Sequence, residues 1–416
     1  MKYKDKIYYG WVVVIIVLII GASTEGIRNS FGVFFKSLES EFDLTRAATS
    51  SIFSANMLFS AVFNVIAGWA LDKYGPRLVV FLLGLATGLS MLLVSQTSAP
   101  WQLFISYGVL LSLGTGPSFP VLMSTVSRWF ERKRGLALGI AASGASLGML
   151  ALAPFATYLI VNFNWRIAFI VIGVIAWSIV LPLSRLLRTY PHQIGALPDG
   201  ARADSDGMKI MKNGDEGSIM PVGFSLKQAL GNLGFWFILA VYLFYGFCIF
   251  LIYTHLVPYA TDMGISAMAA ATVISLIAGI SILGRLVMGI VSDRIGRRIA
   301  AIICAVFTAA TMVWLTWSHD LWMLYLFAVV FGFAYGGLDI CMVALVGDVF
   351  GVRSIGAIIG ALSVGFVIGS AIGPSLGGLI FDVSNSYSMA FLIGAVAMLI
   401  IALLIALIRP ETVKSP

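Results

Sequence analysis

Long apolar runs separated by short polar connections make up nearly all of this 416-residue chain. They lie near residues 9–35, 47–71, 77–97, 101–126, 134–161, 166–187, 232–260, 266–291, 298–318, 321–347, 354–381 and 386–408. A helix needs about 20 apolar residues to cross a bilayer, so the pattern predicts twelve transmembrane helices. The interval 188–231 breaks the rhythm, with Pro191, Pro198, Gly200, Gly207, Gly214 and Gly217 among charges of both signs, the composition of a linker. The expected organisation is all-α and membrane-embedded: one six-helix bundle over 1–187, a linker loop over 188–231, and a second six-helix bundle over 232–416.

The two halves repeat each other. Gly68-Trp69-Ala70-Leu71-Asp72-Lys73-Tyr74-Gly75-Pro76-Arg77 returns 221 positions later as Gly289-Ile290-Val291-Ser292-Asp293-Arg294-Ile295-Gly296-Arg297-Arg298. Each reads Gly-x-x-x-Asp-basic-x-Gly-x-Arg between two apolar runs, where glycines permit a tight turn and close helix approach and the charges stay at a membrane face. Phe130 and Pro154 likewise recur as Phe350 and Pro374, which makes the chain an internal duplication. Several runs carry glycines at four-residue spacing: Gly135 and Gly139, Gly144 and Gly148, Gly332 and Gly336, then Gly365, Gly369, Gly373 and Gly377. Such spacing strips one helix face of side chains and predicts close packing of helix backbones. Gly144 to Gly148 also matches Gly-x-Ser-x-Gly, but it lies inside an apolar run rather than between a strand and a helix, so the hydrolase reading fails.

Composition narrows the class. The chain is 60% hydrophobic and 11% charged, with a mean hydropathy of +0.99, more apolar surface than soluble cores of this length can bury. Its net charge of +7 is explained by topology rather than by nucleic acid. With the N-terminus cytoplasmic, 21 of the 26 Lys and Arg fall on the inner side; Lys36, Arg46 and Arg166 fall outside, and Arg28 and Arg285 lie within spans. Both termini and the linker are therefore expected in the cytoplasm. Lys2, Lys4 and Lys6 ahead of an apolar run resemble a secretory leader, but the topology needs that segment as a span. Cys248, Cys304 and Cys341 stand singly in apolar runs, without disulfide or metal-ligand spacing. No Walker phosphate loop is present, so no cofactor or metal is expected and any transport would be driven by gradients.

Charges inside spans are costly and mark function by default. Glu25 and Arg28 share a face of the first span, Arg285 lies in the eighth and Asp339 in the tenth. Counting 1.5 Å per residue from the span ends puts Arg285 and Asp339 at one depth in the inner half, and Glu25, Arg28 and His255 at another in the outer half. An arginine in a low-dielectric cavity suits a carboxylate, which its fork can grip with two charge-assisted hydrogen bonds. A neighbouring carboxylate can then exchange a proton as the substrate comes and goes. Substrate candidates are Arg285, Arg28, Asn29, Tyr335, Phe119 and Phe331, and proton-coupling candidates are Asp339, Glu25 and His255. The alternative for each charged pair is a fixed ion pair between helices. Gating candidates are Gly68, Asp72, Lys73, Gly75 and Arg77, with Gly289, Asp293, Arg294, Gly296 and Arg298 as their repeat.

The repeated loop motif resembles the signature of the major facilitator superfamily. Within it, Arg128-Trp129-Phe130-Glu131-Arg132-Lys133-Arg134-Gly135-Leu136-Ala137-Leu138-Gly139 resembles the fifth-span signature of the monocarboxylate porter family. Tyr9-Gly10-Trp11 and Val33-Phe34-Phe35-Lys36 are similar to its first span. The resemblance covers essentially the whole chain and implies two six-helix bundles about a central cavity that opens alternately to either side. It also implies that Arg285, at the position of the family's substrate-binding eighth-span arginine, holds a carboxylate. The animal members carry an Asp where this chain has Ser281 and a first-span lysine where it has Asn29 beside Arg28. Related bacterial oxalate and formate exchangers add an eleventh-span lysine, but no lysine lies between Lys227 and Lys414 here.

The expectation is a proton-coupled symporter of a lactate- or pyruvate-type monocarboxylate in a bacterial cytoplasmic membrane, functional as a monomer, with protons, substrate and lipid as partners and no enzymatic activity. A dicarboxylate exchanger using Arg28 and Arg285 is the alternative, followed by a drug/proton antiporter.

Overall fold

The computed structural model describes residues 8–130, 134–191, 224–351 and 355–408, with backbone alone at Asp72, 134–136 and 355–357. Most of the linker lies outside the described residues, as do Glu131, Arg132 and Lys133 of the fifth-span signature. Among the described residues, twelve helices are long and apolar enough to cross a membrane. They are α1 (Tyr9–Phe42), α2 (Arg46–Leu71), α3 (Lys73–Ser95), α4 (Pro100–Ser127), α5 (Ala137–Asn162), α6 (Trp165–Leu186), α7 (Leu233–Asp262), α8 (Ala267–Ile295), α9 (Arg297–Leu315), α10 (Leu321–Phe350), α11 (Ile358–Ser384) and α12 (Ser388–Leu407). The first differs from expectation: after a break at Ser30 it continues beyond Phe35 to Phe42, ending at Asp43 in the left-handed conformation. Its last turns, Glu39 and Glu41 included, are too polar to be recognised by an apolar run, yet Phe34, Phe35 and Leu38 anchor one face in the core.

Helix ends follow side-chain and glycine chemistry. Asn164, Asn232 and Ser266 accept from backbone amides in the first turns of α6, α7 and α8, relieving donors that a helix start leaves unpaired. Gly75 (φ 78°) and Gly296 (φ 91°) turn the chain between α2 and α3 and between α8 and α9 in a conformation that L side chains rarely adopt. The first glycines of the two motif copies behave otherwise. A Cβ built on Gly68 or Gly289 meets no described atom within 4 Å, so the close approach expected there is absent, the turn being made seven residues on.

Contacts divide the described residues into two compact units, one drawn from Met1–Asn29, Phe59–Leu152 and Leu159–Ser218, the other from Ser30–Leu58, Ala153–Tyr158 and Ile219–Pro416. In the first, α1 lies on α5 with Gly144 against the Leu18 backbone, and Gly26 and the Ala22 carbonyl against Gly148. The two stretches of family resemblance also meet: Trp11 packs on Phe130 at 4.9 Å and Tyr9 on Trp129 at 5.6 Å between ring centroids. In the second unit, Gly365, Gly369 and Gly373 of α11 face the carbonyls of Leu239, Leu243 and Phe247 on α7. There α10 meets α8 through Gly332 and Gly336, against Ile277 and Ser281, while Gly284 of α8 faces Phe333. Contacts of this kind put main chain against main chain, as the glycine spacing predicts, but not at Gly139, which meets no described atom within 4 Å, nor at Gly377, which meets the side chains of Leu251 and His255.

Candidate functional site

The backbone contact between α8 and α10 sets the second unit's site. With Gly284 against Phe333 and Gly336 against Ser281, Arg285 comes level with Asp339, and its Nε donates to Asp339 Oδ2 at 3.0 Å. The pairing inferred from depth is therefore present. Neither partner is sealed, for the side chains keep 28% and 41% of their exposure. Arg285 also bonds the Tyr335 hydroxyl, with its guanidinium 5.7 Å from the ring centroid. Phe331, fully buried one turn earlier, stacks on Tyr335 at 6.2 Å and 16°.

Helix α7 supplies residues that the sequence pattern conceals. Tyr245 stacks on Tyr335 at 5.8 Å and 22°, its hydroxyl 3.4 Å from the Tyr335 carbonyl oxygen. Tyr253 crosses the Tyr335 ring edge-on at 6.1 Å, within electrostatic reach of its hydroxyl. Tyr242 lies within electrostatic reach of Asp339, and its hydroxyl oxygen is buried without a hydrogen-bond partner. Inside an apolar run, these tyrosines are indistinguishable from packing residues. The signal that could have found them is their common helix face opposite Asp339 and Tyr335.

In the first unit Arg28 Nη2 donates to Glu25 Oε2 at 2.5 Å, as their spacing predicts. The pair is deeply placed, with side-chain exposures of 17% and 4%. Glu25 Oε1, Arg28 Nε and Asn29 Oδ1 are all buried without a partner, a cluster of unsatisfied polar atoms on one helical turn. Tyr107, within electrostatic reach of Arg28, lies on a π-helical stretch of α4, Phe104–Leu111. Phe119 is 42% exposed.

His255 sits elsewhere in the second unit. Its Nε2 is 2.8 Å from the Pro374 carbonyl oxygen, which fixes a proton there, and its Nδ1 accepts from the Tyr387 hydroxyl at 3.1 Å. Tyr387 in turn accepts from Arg46 Nη1 at 2.7 Å. Arg46 also pairs with Glu39 and Asp262 and lies 3.7 Å from the Phe381 ring centroid. Asp382 accepts from the backbone amides of Arg46 and Ala47, capping α2 from α11. Burial holds the Tyr387 phenol above its ordinary range, against the pull of Arg46, so it serves the chain as a neutral hydroxyl.

At the motif loops, Arg297 bonds Asp348 at 2.5 Å and the Ala344 carbonyl at 3.2 Å, and Arg298 bonds the Ile405 carbonyl at 3.1 Å. Asp293 lies 3.7 Å from Arg297 and Arg294 is exposed. In the other copy Lys73 lies over the Trp69 and Tyr74 rings, Arg77 is exposed, and the Asp72 side chain is outside the described residues. Arg297, the strongest pair former here, is absent from the sequence-based gating set because its partner is 51 residues away.

A half-buried arginine, a partnered carboxylate and the duplicated motif occur in a chain whose described residues form twelve membrane-length helices, and its residues 14–296 and 280–416 match the Major Facilitator Superfamily. The chain belongs to that superfamily. Among curated relatives, monocarboxylate transporter 13 of Bos taurus is 26% identical, with 94% of this chain and 87% of that protein covered. Monocarboxylate transporter 2 of Homo sapiens is 26% identical over 92% and 82% of the two chains, and monocarboxylate transporter 12 of Xenopus laevis 23% identical over 96% and 89%. A crystal structure of a bacterial homologue of the human lysosomal transporter Spinster aligns with a TM-score of 0.71 over 97% of this chain and 96% of that one, at 15% identity. That likeness bears on the fold. The protein is a multi-pass major facilitator transporter related to the monocarboxylate transporters.

Proposed function

We propose that this transporter carries a small monocarboxylate of the lactate or pyruvate type together with a proton, by alternating access. One observation carries the reading: Arg285 is a membrane-embedded cation whose partner, Asp339, is a single carboxylate on an accessible surface. A substrate carboxylate can replace Asp339 on the guanidinium, because both offer the same planar pair of oxygens. Asp339, once displaced, no longer faces the guanidinium charge, and this exchange of partners is the step that would link substrate binding to proton uptake. Glu25 is the second candidate for the proton, with one buried oxygen lacking a partner. Tyr335 borders the carboxylate site with Phe331 packed behind it, and Arg28, Asn29 and Phe119 are candidate substrate contacts in the other unit.

In this reading the halves 1–187 and 232–416 move about the substrate and are joined by 188–231. The two motif loops latch the inner side. The protein works as a monomer in a bacterial cytoplasmic membrane, and the placement of its basic residues supports both termini lying inside. An exchanger of larger organic anions is the second reading, favoured by the unpartnered Arg28 Nε.

The test is uptake of labelled L-lactate into proteoliposomes with and without an inward proton gradient, run beside Arg285→Ala. Gradient-driven uptake that is lost in the variant supports the assignment. Uptake that survives in the variant removes Arg285 from its role. Equal exchange with and without the gradient moves the reading to the second one.

A further inference from the structure

Helices α7 and α10 run antiparallel, so steps toward the start of α7 match steps toward the end of α10. Tyr245 stacks on Tyr335 across the pair. One turn on in each helix, by that register, Tyr242 stands opposite Asp339, and the two interact electrostatically. The other two tyrosines on this stretch of α7 are engaged by Tyr335: the Tyr245 hydroxyl points to its carbonyl, and the Tyr253 ring meets its ring edge-on. The Tyr242 oxygen has no hydrogen-bond partner. A buried hydroxyl without a partner loses its hydration and gains nothing in return, so its place is explained when a ligand supplies the missing bond. The nearby charges are Asp339 and, beyond it on α8, Arg285, which already bond each other.

We propose that Tyr242 is a specificity determinant: its hydroxyl bonds an oxygen on carbon 2 of an organic acid whose carboxylate is held by Arg285. The inference rests on the carboxylate reading of Arg285 and adds to it a second point of recognition. A carboxylate and a 2-oxygen lie on adjacent carbons, so one small molecule can engage the guanidinium and a hydroxyl beside Asp339 together. The site then favours 2-hydroxy and 2-oxo acids over acids of the same size without that oxygen, because the latter leave the buried hydroxyl unpaired.

The experiment is competition against labelled L-lactate exchange in proteoliposomes by unlabelled L-lactate, pyruvate and propionate, for the unaltered protein and for Tyr242→Phe. The unaltered protein should prefer lactate to propionate by at least about tenfold, in line with rejection by an unpaired polar group. Tyr242→Phe should bring the ratio within about threefold by weakening lactate while leaving propionate where it was. Because the substitution removes an unpartnered oxygen, the substrate-free variant should melt no lower than the parent, which separates a binding loss from misfolding. A ratio unchanged in Tyr242→Phe, or lactate and propionate competing equally in the unaltered protein, overturns the role of Tyr242 while leaving Arg285 in place. Competition by none of the three acids, or exchange indifferent to Arg285→Ala, overturns the carboxylate reading and this inference with it.

Discussion

Arg46 and Asp262 form a two-pronged ion pair, Nη1 to Oδ2 at 2.6 Å and Nη2 to Oδ1 at 3.0 Å, between residues 216 positions apart. Lys36 reaches the same carboxylate at 2.5 Å. The start of α2, the end of α7 and the approach to α12 are thereby tied through a single guanidinium that also bonds Tyr387.

Arg46→Ala should therefore destabilise the protein. The Arg46 side chain is 8% exposed, but Asp262 is 30% exposed and retains Lys36, so the loss should fall below that of a fully buried pair, at about 2–3 kcal/mol. Thermal melting in detergent is the measurement, with an expected drop of roughly 4–8 °C. An unchanged midpoint would show that the cluster is decorative.

Arg285→Ala should abolish carboxylate exchange, by about 100-fold or more, while Arg285→Lys should retain a fraction, since a point charge replaces a planar fork. Both variants should fold, because the pair is partly exposed. Equal rates in Arg285→Lys and the parent would argue that charge alone, without fork geometry, suffices.

Asp339→Asn and Glu25→Gln separate binding from coupling. The variant that has lost the coupling proton should still exchange lactate for lactate at equal pH on both sides, yet fail to accumulate it against a gradient. Only one of the two should show that combination. Accumulation preserved in both would take the coupling proton away from Asp339 and Glu25 alike.

His255→Phe should lower stability without moving the pH profile of transport. Both ring nitrogens are engaged, one donating to the Pro374 carbonyl and the other accepting from Tyr387, so the ring acts as a connector. A shifted pH profile would restore His255 to a proton-handling role.

Much of this arrangement could be read from the chain alone, and the reason differs from one part to another. Spans are a one-dimensional property, so hydropathy located all twelve to within a few residues, the polar end of α1 excepted. Glycine spacing carried three-dimensional information too, because a face without side chains admits only a neighbour's backbone; hence the α1–α5, α7–α11 and α8–α10 contacts. Depth predicted that Arg285 would meet Asp339. It could not tell which way a side chain points around its helix, and so His255 turned out to face Tyr387 and Pro374. Arg46 looked like a loop charge, because its partners lie up to 341 positions away. Tyr242, Tyr245 and Tyr253 were hidden in an apolar run, where an aromatic ring is expected whatever its hydroxyl does.

The glycine turns have a consequence for how the duplicated motif can change over time. Gly75 and Gly296 share a backbone geometry, yet the charges at matching positions around them have settled differently: Lys73 lies on two aromatic rings where Arg294 is exposed, and Arg77 is exposed where Arg298 bonds the Ile405 carbonyl. Course and charge are thus inherited separately. The bend belongs to the one residue lacking a side chain, and a substitution there redirects the next helix. The charges are free to find new partners in each copy without disturbing that path. A motif that reads as one word thus has two separable parts, a bend that glycine makes and charges that each copy places differently.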